Sequence, residues 1–383
     1  IRTSDEGTAQ HPGVTMAEAL EGCGAAYSGD ARHGATVATM DVPITRLDQA
    51  LRLFGEIITS STHEDEAVER HRMLRLAEID QARANGSSTA NEALRRVRWA
   101  EGSRASRPAG GSALTVAAIT PQQVRLFDTE QWSPLGSTLV LGGDFSHTDP
   151  MPRIHEVLGD WQGTVTSRPT ATDTSFAPKP SAPIVHLVDR PDAVQVDLRL
   201  GGIGVDRHDP LWPALQVAGV AVGGSFLSRL NRIIREERGY TYGIHLSTLP
   251  QRNHGTWTIS SSIRTEVAVA ALDETLHLLA LDEALSESEV TDARAQILGI
   301  APLASDTAEA VVGQASRLAA TGSEPGQINR HREAVRRVDA DAATRAARDV
   351  FIGSAAQVVM VGPADELTGP LEAAGHQVET LNL

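Results

Sequence analysis

The chain has 383 residues, 41% of them hydrophobic and 22% charged, which is enough apolar material for two cores of ordinary domain size. There are 34 Lys and Arg against 49 Asp and Glu, a net charge of −15 without a basic cluster, and this excludes nucleic acid as a partner class because a phosphate track needs grouped cations. No stretch approaches the roughly 18 apolar residues that a membrane helix needs, so no membrane partner is expected.

In chain order, the single cysteine, Cys23, comes first. It excludes an internal disulfide and reads as a small core residue. It fits a reducing compartment, so a cytoplasmic protein is expected. The chain opens at Ile1 without a start Met, which leaves an export signal open. ATVATMDVP, from Ala35, has the look of a short strand. LDQALRLFGEII then sets Leu47, Leu51, Phe54 and Ile58 at helical spacing. Ser61 and Glu64 read as a capping box opening the next helix, hydroxyl and carboxylate each satisfying an orphan N–H.

Thr120, Pro121 and Gln123 in ITPQQVRLF make a second helix start, followed by a predicted strand STLVLGG that ends at Gly143. From Thr164 to Pro183 the chain turns to Pro, Thr and Ser without apolar period, the composition of a linker. Beyond it come the strand patterns IVHLVDR, AVQVDLRLG and GTWTISSSIR and a helix with Leu272, Leu276 and Leu279 on one face. A capping box at Ser286 and Glu289, the helix VDADAATRAARDV from Val338 and the strand AQVVMVG ending at Gly362 close the series.

These elements repeat. Leu47 and Leu272 lie 225 residues apart, and each precedes its capping serine by 14. Ile119 and Val338 lie 219 apart, and each precedes its closing glycine by 24. The chain therefore reads as two homologous α/β-sandwich domains, residues 1–163 and 184–383, joined by a linker at 164–183. Strands and helix pairs mix without a βαβ rhythm, so the fold class is α+β.

The most specific stretch is GGSFLSRLNRIIREERGYTYG, Gly223 to Gly243. Gly223 and Gly224 are followed by neither Lys-Ser/Thr nor a GxGxxG pattern, so they read as close packing at a strand-like to helix turn rather than a phosphate loop. The stretch resembles the signature of the C-terminal domain in the pitrilysin/insulinase peptidases, whose zinc motif is the inverted HxxEH. HDPLWPALQVAGVAVGG before it, PLGSTLVLGGDF and the closing VVMVGP extend the resemblance over most of the chain. In that family an Arg and a Tyr seven residues apart bind the substrate peptide inside a closed, clamshell chamber; they match Arg235 and Tyr242. Gly239 between them predicts that the helix ends there and that Tyr242 enters the next strand. An Arg donates several N–H groups, and a Tyr hydroxyl can stabilise charge at a scissile carbonyl. Read without the resemblance, Arg235 is a solvated helix residue and Tyr242 a half-buried strand residue; Tyr240 is the competing tyrosine.

Zinc hydrolysis needs two His on one helix, a Glu between them and a third ligand. No HxxEH occurs. The nearest pattern, His63-Glu64-Asp65-Glu66-Ala67, reads as a solvated first helical turn. On the family's register, anchored at Gly7-Thr8, the second His falls at Arg2. The third ligand, seven residues after the Glu of the pair Glu69-Arg70, falls at Leu76. Glu78 lies about 200° further round that helix and is expected to point elsewhere. His33, His155, His245 and His254 show no ligand spacing.

The resemblance thus implies half of a clamshell. It implies a chain that binds no zinc itself, lacks catalytic residues of its own and serves a homologous zinc-bearing partner as its peptide-binding subunit. Two alternatives stay open: an active zinc endopeptidase whose HxxEH lies upstream, with Glu78 recruited as a ligand, or an architectural relative such as a core or presequence-binding subunit.

Overall fold

The computed structural model describes residues 1–32, 34–163, 175–178 and 183–383. In chain order its first half carries α1 (Val14–Cys23), β1 (Ala26–Ala31), β2 (Thr36–Asp41), α2 (Leu47–Thr59), α3 (Asp65–Ala84), α4 (Gly86–Arg98), α5 (Ala113–Ala117), α6 (Pro121–Gln131) and α7 (Met151–Leu158). Its second half carries β3 (Ile184–Asp189), β4 (Gln195–Gly204), α8 (Trp212–Gly219), β5 (Thr241–Pro250), β6 (Gly255–Arg264), α9 (Ala268–Ala280) and α10 (Glu287–Ile300). These are followed by α11 (Ala308–Ala320), α12 (Gln327–Arg336), α13 (Ala340–Val350), β7 (Gln357–Gly362), α14 (Ala364–Ala373) and β8 (Gln377–Thr380). The class is α+β, as the pattern of elements predicts. None of the described helices is long and apolar enough to cross a membrane.

Two compact units form, and their limits are not those of the two sequence halves. One comprises residues 1–80, 108–171 and 303–320; the other comprises 81–107, 172–302 and 321–383. Each unit has taken one helical segment from the opposite half of the sequence: α4 goes to the second unit and α11 to the first. The starts of those segments, 81 and 303, are 222 residues apart, in step with the 219- and 225-residue repeats.

In the first unit, Met16, Leu20 and Cys23 of α1 pack with Ala50, Leu53 and Ile57 of α2, so the thiol is indeed a core group. The antiparallel hairpin β1–β2 flanks this core, and Leu47 and Leu51 meet Ile154 of α7. Thr120 and Gln123 form the predicted capping box of α6, with Pro121 in its first turn. Two expectations fail here. STLVLGG pairs with no strand among the described residues; a strand is stable only when its backbone groups find a ladder partner. Helix α11 lies against this segment instead, since a Cβ on Gly142 would run into Val312 and the Ala308 carbonyl. Ser61 does not cap α3 either: its hydroxyl donates to the carbonyls of Ser4 and Ile57, both at 2.7 Å.

The second unit holds a six-stranded sheet in the order β5-β6-β4-β7-β3-β8, with β3 parallel to β7 and β8 and the other pairs antiparallel. Period-two alternation sorts β4 between two helical layers. Val196, Leu198 and Leu200 enter the main core with α8, α9, α10 and α13, while Arg199 faces α4 and donates to Asn91 at 2.6 Å. Ala90, Ala93 and Leu94 of α4 bury Val188, Val359 and Val361 on that face. The second capping box forms as the sequence predicts: the Ser286 hydroxyl accepts from the Glu289 N–H, and the Glu289 carboxylate accepts from the Ser286 N–H at 2.8 Å. Most of the 164–183 stretch lies outside the described residues. The described part is ordered against the end of α4, where Phe176 stacks on Trp99 at 4.4 Å between ring centroids.

Candidate functional site

The stretch from Gly223 to Gly243 folds as two wide helical turns and a strand. Gly223 and Gly224 end a π-helical continuation of α8 (Val220–Gly224) rather than sit between a strand and a helix. A Cβ on Gly223 would meet the Leu246 side chain and the Leu230 side chain, so glycine lets this turn lie directly against β5. A second π-helical segment, Asn231–Glu237, carries Arg235. Its wide register shows in the bond from the Arg238 N–H to the Ile233 carbonyl at 2.9 Å. Gly239, at φ 65°, is the left-handed stop; the Tyr240 N–H then closes on the Ile234 carbonyl at 3.0 Å.

Tyr242 is the second residue of β5, as Gly239 foretells, but it is not half-buried. The pairing of β5 with β6 slips between Thr241, opposite Ile263, and Ile244, opposite Ser261. One extra residue on β5 makes a β-bulge, which turns side chains away from the ladder. Tyr242 is 93% exposed as a result. Tyr240, the rival, is partly buried against the core.

Arg235 is held from below rather than solvated. Its guanidinium carbon lies 4.0 Å from the centroid of the Phe226 ring, a cation–π stack. Nη1 sits 3.1 Å from a Glu236 carboxylate oxygen, near enough for attraction but misaligned for a hydrogen bond, and it has no other acceptor. Phe226 and Leu227 are themselves 66% and 85% exposed. Among the described residues no hydrogen bond joins Arg235 to Tyr242; they stand on either side of the Gly239 turn.

Two contributors to this arrangement escape sequence reasoning. One is Phe226, whose exposure no pattern announces. The other is Asn231, buried under the turn. Its amide NH₂ donates to the carbonyls of Ser225 (3.0 Å) and Ile244 (2.8 Å) and to the Ser228 hydroxyl (3.2 Å), while its oxygen accepts from the Ile244 N–H at 3.2 Å. This side chain pairs with the edge of β5 as a neighbouring strand would. It ties together the loop bearing Phe226, the segment bearing Arg235 and the strand bearing Tyr242. Beneath it, buried Arg229 grips Glu289 through both oxygens and the carbonyls of Glu283 and Ala284.

In the first unit lie Arg2 and Leu76, the residues that the resemblance sets at metal-ligand positions. Arg2 donates to both carboxylate oxygens of Glu78, at 2.9 and 3.0 Å, and Arg75 donates to the same group at 2.9 Å. Glu78 is thus held by two guanidinium groups. Hydrogen bonds from Arg2 and Arg75 draw its carboxyl down to about 2. Leu76 has no lone pair, and a guanidinium has none to spare. These residues do not fit a zinc ion, and among the described residues no three His, Cys, Asp or Glu side chains stand where they could share a metal.

His63 is also unlike its expectation, being buried at φ 46° rather than solvated. Its Nδ1 meets the Thr3 hydroxyl at 2.8 Å and its Nε2 approaches Asp128 at 3.4 Å. His155 contacts the Met151 carbonyl within its own helix, His245 is exposed on β5, and His254 lies edge-on to Trp99. His33 lies outside the described residues.

Residues 118–297 match the family profile described as the Peptidase M16 inactive domain. An uncharacterized zinc protease of Streptomyces coelicolor is 22% identical over 94% of this chain and 78% of its own length. The crystal structure of a peptidase M16 inactive domain from Pseudomonas fluorescens superposes with a TM-score of 0.81 at 21% identity, covering 94% of this chain and 86% of that one. A protease from Helicobacter pylori reaches 0.84 at 12% identity, covering 94% and 88%. The chain is thus similar to the M16 peptidases in sequence over residues 118–297 and shares their fold over most of its length.

Proposed function

We propose that this chain is the peptide-gripping, zinc-free subunit of a two-part metallopeptidase, acting beside a homologous partner that carries HxxEH. The observation that carries the reading is a contrast within one chain. Tyr242 stands exposed and Arg235 is partly buried and braced on Phe226, while Leu76 and Arg2 offer nothing to a metal. The partner's zinc would supply the activated water and polarise the scissile carbonyl.

The remaining steps fall to residues described above. The Tyr242 hydroxyl, turned outward by the bulge, donates to a peptide carbonyl and stabilises charge that develops there. The guanidinium of Arg235, held through Nη1 beside Glu236, donates through its other N–H groups to a second carbonyl, which fixes the register of the bound strand. Phe226 keeps the guanidinium from collapsing onto the surface and offers a flat apolar contact for a side chain.

The test is reconstitution. Mixed with a homologous HxxEH-bearing chain, the protein should support chelator-sensitive peptide hydrolysis that neither shows alone. In that pair Arg235→Ala and Tyr242→Phe should each lower kcat/KM by about tenfold or more, the worth of one or two hydrogen bonds. Chelator-sensitive hydrolysis by this chain alone would overturn the proposal. Unchanged turnover by both variants would leave only an architectural role.

A further inference from the structure

At the other end of the sheet lies a feature that peptide gripping does not use. Strand β7 begins at Gln357, opposite Gly201 of β4, but β4 runs on through Ile203 and Gly204 with only β6 beside it. The missing neighbour leaves a gap about one strand wide, close to 5 Å. A cavity of about 200 Å³ occupies it, with Ile203, Trp257, Val350 and Ile352 as apolar walls, Arg98 within and exposed Asp349 at the rim. From Trp257 to Ile263, opposite the start of β5, is six residues along β6, about 20 Å, so this place is separate from Tyr242.

Arg98 is the unexplained group. Its side chain lies across Gly201, where any Cβ would collide with it, and its Nη2 donates to the Trp257 carbonyl (3.1 Å) and the Thr258 hydroxyl (2.7 Å). Its Nε is shut off from solvent and has no acceptor. Among the described residues no carboxylate lies within ion-pair distance of it, in a chain with an excess of acid. Burial pulls the guanidinium down to about 10, which leaves it charged at neutral pH. A partly buried cation without a counter-ion is disfavoured, and an anion that meets the guanidinium from the cavity relieves that cost.

We propose that this cavity binds a free aliphatic α-amino acid, its carboxylate on Arg98, its ammonium toward Asp349 and its side chain against Trp257 and Val350. The size agrees: an apolar cavity of about 150 Å³ admits benzene, and this one has room for a few more heavy atoms. The two opposite charges at cavity and rim distinguish a free amino acid from a peptide C-terminus, which has a carboxylate but no ammonium beside it.

The experiment is calorimetric titration of the full chain with L-leucine, N-acetyl-leucine and leucinamide. Leucine should bind saturably with a Kd below about 10 mM, N-acetyl-leucine about tenfold more weakly, and leucinamide not measurably. Asp349→Asn, at an exposed position, should abolish the preference for leucine over N-acetyl-leucine. Val350→Phe should fill the cavity and block both, and Arg98→Gln should remove binding of either. No binding of leucine at that concentration, leucinamide binding as tightly as leucine, or an unchanged preference in Asp349→Asn would each overturn the proposal.

Discussion

Replacing Asn231 by Leu removes the side chain that stands in for a neighbouring strand at Ile244 while nearly keeping its volume. The Ile244 N–H and C=O, on a residue only 1% exposed, would both lose their partner. Each buried backbone group left unsatisfied costs roughly 1–3 kcal/mol, and the added apolar burial returns about 1 kcal/mol. The net expectation is a loss of about 2–4 kcal/mol. Asn231→Asp keeps the acceptor for the Ile244 N–H but loses all three donated bonds and buries a charge, so it should cost at least as much. Urea unfolding followed by circular dichroism reads the total, and hydrogen exchange at the Ile244 amide reads the local part. A loss under about 1 kcal/mol for Asn231→Leu with Ile244 still protected would refute the account of Asn231 as a strand substitute.

Gly201→Ala should destabilise by about 3 kcal/mol in thermal denaturation, because its Cβ meets the Trp257 carbonyl oxygen, part of a paired strand that cannot retreat. Gly243→Ala, which points into open space, should change stability by less than about 0.5 kcal/mol. Glu289→Gln should cost about 3 kcal/mol, since Arg229 is buried and would keep its charge without a counter-ion. The Arg2–Glu78 pair is well exposed and contributes at most about 1 kcal/mol. Because the folded carboxyl lies near 2, below the ordinary value of about 4.3, that contribution is complete above pH 5 or so and drains away as pH falls toward 2. Urea midpoints of Glu78→Gln and the parent should therefore differ at neutral pH and converge near pH 2.

What the sequence disclosed was local chemistry. Strands β3, β4, β6 and β7 followed from β-type runs, α10 from Ser286 and Glu289, and the turn into β5 from Gly239, because each depends on neighbours a few residues away. STLVLGG shows the limit: its pattern is that of a strand, but pairing is a property of two segments, and no partner presents itself among the described residues. Ser61 had a capping sequence yet found better acceptors in Ser4 and Ile57. At the candidate site, Arg235 and Tyr242 were singled out by the resemblance to a known family, whereas Asn231 and Phe226 act through contacts with the turn and the β5 edge that no periodicity encodes. Arg2 and Glu78, 76 positions apart, met for the same reason.

The exchanged helices bear on how such a protein can be divided. A cut engineered into the Pro/Thr/Ser stretch breaks the chain at its least patterned point and resembles a clean separation of two domains. It would not release them. The N-terminal fragment would retain α4, whose Ala90, Ala93 and Leu94 are interred beside Val359 and Val361 of the C-terminal fragment. Helix α11 makes the reverse loan. The nicked protein should migrate as one particle under native conditions and as two bands only in denaturant, and either gene fragment expressed alone should yield an insoluble product that co-expression rescues.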